Sequence, residues 1–511
     1  MTSAATDTLA AFKRLLEEAA DPEMGAPTLL TDALVGRDKA PELRRCAVPH
    51  QIDRSLMRVI APWLTAEEAA RRYEEFTELS IVQVSPCGLA IHERWRRALF
   101  AWWLRAENRA EFEQISRSLA DHFAALAQAS TGPEAEAARR RHMYHLLGAD
   151  RAAGLSTFRS LCWQARHRWR FAEYGALIRL VRDYDGILTP PEQATVAYEE
   201  GKLAADTQDW VTAERKFREL VEDDDTSPGL RVKASARLGH VLREQGRVGE
   251  AIAELSRARD VAGEEADLPV WRLLHELGEA YRDAGALDLA ERAIRRALAL
   301  TRREGAAFDR SGLFNSLGTI HLQRRDLAEA VLALQTSLDE LARVGDVFRP
   351  AQVQNNLGLA YSEQRDWSRA EAAFATSLDL KRQAGDVAGQ ALALQNLSRA
   401  QAAQDKIDEA IANATEAARM FEAVKDRRLE GIAKCRLGHY HRRRGDRVRA
   451  RALFMEALDL FAATEDEAEA ARVRLDLEAL DGTVGLPWWA WTLIALLLAV
   501  VVLVVVGLFV S

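Results

Sequence analysis

Between residues 190 and 465 the apolar and small positions of the chain fall into one recurring frame, and copies of it repeat at a constant spacing. Leu238, Leu277, Leu317, Leu357, Leu397 and Leu437 each precede a small residue: Gly239, Gly278, Gly318, Gly358, Ser398 and Gly438. Twelve positions after the small residue stands an alanine: Ala251, Ala290, Ala330, Ala370, Ala410 and Ala450. Four positions further on comes a larger apolar residue, Leu255, Ile294, Leu334, Phe374 or Phe454, with Ala414 the exception. Gly201, Ala213 and Phe217 give an earlier copy with Glu200 in the leucine position, and Leu161–Cys162, one period before Glu200–Gly201, suggest a degenerate one. Spacings of three and four keep such positions on one face of a helix. Short polar turns such as QGRVGEA, QRDWSRA and RGDRVRA divide each copy in two, so each copy predicts a helical hairpin. The small residue on the first helix and the alanine on the second allow a close approach. One hairpin cannot bury its face alone, so neighbours must stack as a solenoid.

This pattern resembles the tetratricopeptide repeat, whose Leu-Gly, Tyr, Ala and Phe positions are matched by Leu357, Gly358, Tyr361, Ala370 and Phe374. The resemblance implies a mainly all-α fold, a right-handed α-solenoid of about seven repeats across residues 190–465. The period is about 40 rather than the usual 34. That implies longer helices or links, as in the kinesin-light-chain-like and bacterial regulatory variants.

Upstream the periodicity changes. Residues 38–105 predict helix, helix, two short strands and helix. Thr65 is placed to cap AEEAARRYEEFTEL, with Glu67 and Glu68 in its first turn. SIVQVSPCGLAIH alternates around Pro86-Cys87-Gly88, as a β-hairpin does. The basic aromatic helix ERWRRALFAWWLR follows. The order is that of a winged helix, and Ile91-His92-Glu93-Arg94 resembles the winged-helix segment of signal-transducing (STAND-type) NTPases. The chain has no GxxxxGK[ST], and the stretch 1–37 before this segment is too short for an NTPase core, so neither that core nor a nucleotide partner is expected. The helix from Ala66 to Leu79 carries Glu67, Glu68, Glu74, Glu75 and Glu78 against Arg71 and Arg72, a net of about −3 that phosphates would repel. The cluster Arg94, Arg96 and Arg97, interleaved with Trp95, Trp102 and Trp103, reads as a packed helix with a solvated basic stripe, as a protein-docking face or, last, as a DNA contact.

The 511 residues suggest several folding units, and the formal net charge of −8 provides no field for nucleic acid. Cys46, Cys87, Cys162 and Cys435 are too scattered for a metal-spaced pair and read as reduced, cytosolic thiols. The stretch from Met1 to Ala20 lacks the apolar core of a secretory signal. The run Trp488–Val510 carries no charge and would make a helix about 35 Å long, enough to cross a bilayer. The expected order is therefore an N-terminal helix and linker (1–37), a winged-helix-like domain (38–105), a helical connector with a degenerate repeat (106–189), the repeat array (190–465), a linker (466–487) and a transmembrane helix (488–510). The expected location is a single-pass, C-terminally anchored membrane protein with its bulk in the cytoplasm.

Catalytic motifs are missing: there is no HExxH, GxSxG or GxGxxG, so no enzyme, cofactor or metal site is expected. His142 and His145 lie beside Arg139, Arg140 and Arg141, and His439 and His441 point in different directions. The remaining candidates lie two residues before each small position: Glu199, Arg237, Glu276, Ser316, Asn356, Asn396 and Arg436. These should face a concave groove, with Asn315, Asn355 and Gln395 beside them and Arg399 among the residues one turn on. Asparagine amides both donate and accept, so they can pair with the backbone of an extended peptide. In tetratricopeptide families asparagine at this place often clamps a ligand, which implies partner binding through Asn356, Asn396 and Ser316. The alternative is that these polar groups are merely solvated or help cap neighbouring helices. The expected function is a membrane-tethered adaptor or scaffold for a protein or peptide ligand. The alternatives are a STAND-like signalling or defence effector that self-associates and acts on a membrane, and a winged-helix transcriptional regulator.

Overall fold

A computed structural model describes residues 26–86, 88–263, 268–301, 307–343 and 349–481. The described residues carry 24 helices and one two-stranded sheet, and the chain divides into two compact units between Glu276 and Leu277.

The first unit opens with α1 (Ala26–Val35), α2 (Ala40–Arg45), α3 (Arg54–Ile60), α4 (Ala66–Thr77), β1 (Val82–Ser85), β2 (Gly88–Ile91) and α5 (Glu93–Trp103). Asp53 caps α3 by accepting from the backbone N–H of Ser55 and Leu56. Thr65 and Glu68 close a capping box on α4. The hairpin pairs Val82 with Ile91 and Ser85 with Gly88, and Ile52 adds a third rung through bonds of 2.8 and 2.9 Å to Leu89. A Cβ on Gly88 would stand 2.2 Å from the Ile52 carbonyl oxygen, so only glycine admits that approach. Four helices follow, α6 (Arg109–Ala129), α7 (Gly132–Ala149), α8 (Arg151–His167) and α9 (Phe171–Arg182). One core of buried residues runs from Leu43 to Val196 across the sheet segment and these helices. At its centre Phe100 meets Phe112 and Tyr184 edge-on, at 5.5 and 5.4 Å between ring centroids. Two hairpins end this unit, α10 (Pro190–Asp206) with α11 (Trp210–Glu222) and α12 (Pro228–Glu244) with α13 (Val248–Ala262).

The helix α14 (Val270–Asp283), in which the units part, is followed by α15 (Leu287–Leu300). The second unit continues with the hairpins α16 (Ala307–Arg324) and α17 (Leu327–Arg343), α18 (Pro350–Glu363) and α19 (Trp367–Ala384), α20 (Val387–Ala403) and α21 (Ile407–Ala423), and α22 (Arg427–Arg444) and α23 (Arg447–Ala463). The frame read from the sequence is the packing frame, with one difference. The notch left by each glycine is filled by the large residue of the second helix, while the alanine lets the backbones approach. A Cβ on Gly239, Gly278, Gly318, Gly358 or Gly438 would stand 2.5–2.6 Å from Leu255, Ile294, Leu334, Phe374 or Phe454 respectively. Where the second helix carries Ala414, the notch position is Ser398 rather than glycine, so small-plus-large becomes medium-plus-small. Seven positions after each small residue the backbone turns left-handed: Gln208, Gly246, Gly285, Arg325, Arg365, Asp405 and Gly445 have φ between 60° and 91°.

Two expectations change. Residues 467–481, expected within a linker, form the helix α24 (Glu467–Asp481), which buries Ala470, Val473 and Leu480 against Phe454 and Phe461. The expected membrane location is corrected: among the described residues no helix is long and apolar enough to cross a membrane. The 488–510 run, like Cys87 and residues 1–25, lies outside the described residues.

Candidate partner-binding strip

The row two residues before each small position becomes a ladder in the second unit. Asn356, Asn396 and Arg436 each reach back to the hairpin before, 41 positions earlier in the chain. The Asn356 amide donates to Asn315 Oδ1 at 2.9 Å, and Asn396 to Asn355 Oδ1 at 2.9 Å. Arg436 repeats the reach, donating to the Gln395 carbonyl oxygen at 3.4 Å. The four asparagines are half-buried. Each asparagine that donates on the ladder keeps its own carbonyl oxygen and a second N–H to offer elsewhere. Ser316 and Gln395 are only 4% and 5% exposed and leave little surface for a ligand.

The arginines at the next rung are unusual. Arg399 makes no ion pair among the described residues, and its Nε is buried without a hydrogen bond. Arg436 has only the Gln395 carbonyl as a hydrogen-bond partner among the described residues, and burial, with the charge of Arg399 beside it, pulls its pKa below the ordinary guanidinium value. Two half-buried cations without an ion-paired carboxylate are costly, because a counter-ion in contact is the usual compensation; only the more distant Glu469 charge favours Arg436. Glu276 belongs to the first unit and is already engaged. It lies 3.1 Å from Arg243 and 3.8 Å from His240. Burial works against its charge, yet His240, His275 and Arg243 hold its pKa below the carboxylate range.

The ladder has one more rung, which the sequence reading passed over. Asp476, on α24, stands one repeat period after Arg436, and it reaches back to Cys435 and His439 on α22. His439 Nε2 lies 3.1 Å from Asp476 Oδ2 and 3.7 Å from Cys435 Sγ. Extending the frame one step would have found Asp476. Glu478 in the glycine position hid it.

In the first unit the expected basic stripe is broken. Arg94 and Arg97 are exposed, but Arg96 is 3% exposed and locked into a polar network. Its guanidinium lies 3.0 Å from Asp183 and 3.3 Å from the Tyr144 hydroxyl, which in turn donates to Asp183 at 3.0 Å. His50 lies 3.2 Å from the same carboxylate oxygen. Burial works to raise the Asp183 pKa, but His50 and Arg96 hold it below the usual carboxylate range. Trp103 is buried too, its indole N–H on the Arg44 carbonyl at 2.9 Å. His145 is buried against Phe123 with its Nδ1 unpaired, and burial pushes its pKa down to about 3.

The family model for the tetratricopeptide repeat matches residues 349–423. Among solved structures the chain is similar to a Signal Transduction ATPase with Numerous Domains (STAND) protein with a tetratricopeptide repeat sensor from Pyrococcus horikoshii. Identity is 13% and the TM-score 0.51, over 85% of this chain and 65% of that one, so the chain spans about two thirds of that protein's length. It is also similar to a Rap protein complexed with Competence and Sporulation Factor, at 13% identity and TM-score 0.43 over 64% of this chain and 98% of that one. A further likeness is to the quorum sensor NprR from B. thuringiensis, at 12% identity and TM-score 0.41 over 65% and 99%. At these identities the likeness is one of fold. No curated protein matches the chain in sequence. The chain is a mostly helical repeat protein of the tetratricopeptide type.

Proposed function

We propose that the chain is an adaptor that holds an extended, acidic segment of a protein partner along the Asn356–Asn396–Arg436 strip, and that it has no catalytic role of its own. A repeat fold of this type is typically a non-catalytic interaction scaffold. The observation that carries the proposal is the pair Arg399 and Arg436, half-buried cations with no carboxylate partner among the described residues. A partner carboxylate supplies the missing charge, and the spare amide groups of Asn356 and Asn396 take up backbone groups. Adjacent hairpins pack about 10 Å apart. An extended chain advances about 3.3 Å per residue, so successive rungs address residues about three apart.

The test is to identify what co-purifies with the full chain and to titrate its acidic segment against variants. Losing two hydrogen bonds at about 0.5–1.5 kcal/mol each should weaken binding roughly five- to a hundredfold in Asn356→Ala/Asn396→Ala. Arg399→Gln/Arg436→Gln should remove most of the salt dependence as well. Because Asn356 also holds Asn315, the single change Asn315→Ala serves as the control for ladder disruption alone. Equal affinities in folded variants would show that binding lies elsewhere.

A further inference from the structure

We propose that Cys435, His439 and Asp476 form a Zn²⁺ site with three protein ligands and one position left to water. Cys435 and His439 are four residues apart on α22, so their side chains leave the same face one turn apart. Asp476 meets them from α24, and the ligand atoms of all three lie within 4.8 Å of one another.

Two of the three separations are those of a tetrahedron's edges. Zn–S of about 2.3 Å, Zn–N of about 2.05 Å and Zn–O of about 2.0 Å at tetrahedral angles put sulfur and nitrogen about 3.6 Å apart and nitrogen and oxygen about 3.3 Å apart. The observed separations are 3.7 Å for Cys435 Sγ to His439 Nε2 and 3.1 Å for His439 Nε2 to Asp476 Oδ2. The third, Cys435 Sγ to Asp476, is within 4.8 Å and closes onto the ion as it binds.

The same geometry argues against a nucleophile relay. A Cys-His-Asp relay needs thiol and carboxylate on opposite ring nitrogens, so that the carboxylate orients the base. Here both contacts fall on Nε2. Convergence on one nitrogen is what the ligands of a single cation do. The surroundings also hold the ligands in place: Arg442 lies 3.6 Å from Asp476 Oδ1, the oxygen that does not face His439, and Phe454 meets the His439 ring edge-on at 5.1 Å. A thiolate and a carboxylate together balance a divalent ion, so the neighbouring Arg442 and Arg436 do not oppose a net positive site. Sulfur and imidazole select zinc over magnesium or calcium. Finally, the ladder changes chemistry here. Its earlier rungs carry amides and a guanidinium, and this one carries three side chains of zinc-ligand type.

The probe is Co²⁺ on the full-length, chelator-stripped chain, followed by displacement with Zn²⁺. One equivalent should give the visible bands of tetrahedral cobalt and a near-ultraviolet thiolate charge-transfer band. Cys435→Ser should abolish the latter, and Cys87→Ser should keep both. Asp476→Asn, nearly isosteric, should weaken Zn²⁺ by at least the roughly 10–100-fold that even an outer-shell change costs. Absence of a tetrahedral spectrum in the folded wild type, or a charge-transfer band that survives Cys435→Ser, overturns the proposal. If Cys435→Ser loses its helical signal, Asp476→Asn decides alone, and unchanged Zn²⁺ affinity there overturns it too. These readouts need no partner, so they stand apart from the peptide-binding reading.

Discussion

Gly358→Ser tests the notch packing that repeats through the second unit. A Cβ at this position would sit 2.6 Å from Phe374 Cε1 and 2.7 Å from Cδ1, where carbon contacts settle at about 3.5–4.0 Å. The ring must therefore move by about 1 Å, yet Phe374 is 0% exposed and packed within the core. Overpacking of this kind costs about 1–3 kcal/mol. Serine regains about 0.5 kcal/mol of helix propensity over glycine, which leaves a net loss of about 0.5–2.5 kcal/mol. Phe374→Ala alone should cost about 3–5 kcal/mol through the cavity it opens. The double change recreates the Ser398 and Ala414 pair that the chain already uses one repeat on. In that background the serine should cost nothing, giving a coupling of about 0.5–2.5 kcal/mol, within the range seen for residues in contact. Urea unfolding followed by helical circular dichroism, on all four members of the cycle, measures it. Equal serine costs in both backgrounds would refute the notch argument, as would a Gly358→Ser chain no less stable than wild type.

Other outcomes follow from single residues. Arg365 is exposed with φ 60°, so Arg365→Gly should raise stability by up to about 1 kcal/mol in thermal melts, the left-handed penalty less glycine's extra unfolded-state entropy. Arg96→Leu should cost about 3 kcal/mol by stranding Asp183, whereas Arg97→Ala, which loses only an exposed pair with Glu93, should cost at most about 0.5 kcal/mol. His145 stays neutral in the fold down to about pH 3, while the unfolded chain takes up its proton near pH 6.5. Its contribution is thus complete above pH 6.5 and is lost as pH falls towards 3, at up to about 1.4 kcal/mol per pH unit. His145→Gln should flatten that part of the stability–pH profile, and an unchanged slope would contradict the burial argument.

The hairpins were legible because their signals are local and repeated. Leu357, Gly358, Ala370 and Phe374 sit close together in the chain, and the same spacing recurs along it. The Asn356 and Asn396 row was legible for the same reason, although its members' mutual hydrogen bonds were not, since each joins positions 41 apart. The burial of Arg96 depends on Asp183, 87 positions further on, and no periodicity connects the two. The helix α24 escaped because Glu478 fills the notch position and removes the Leu-Gly mark, leaving Ala470, Val473, Leu477 and Leu480 to carry its apolar face. The Cys435 and His439 spacing was visible on its own, but a one-turn pair is common on helices and means little until Asp476 arrives.

The ladder also has a direction. From the second of its hairpins onward the rungs run amide, amide, guanidinium, then the cysteine, histidine and aspartate cluster, on a backbone that barely changes from one rung to the next. A chain lying along it would meet neutral groups at one end and, towards the other, guanidinium groups that make no ion pair among the described residues. Two peptides of identical composition, one the sequence reversal of the other, would then differ in affinity, because only one orientation brings its acidic end to Arg399 and Arg436. The strip would thus read the polarity of its partner as well as its charge.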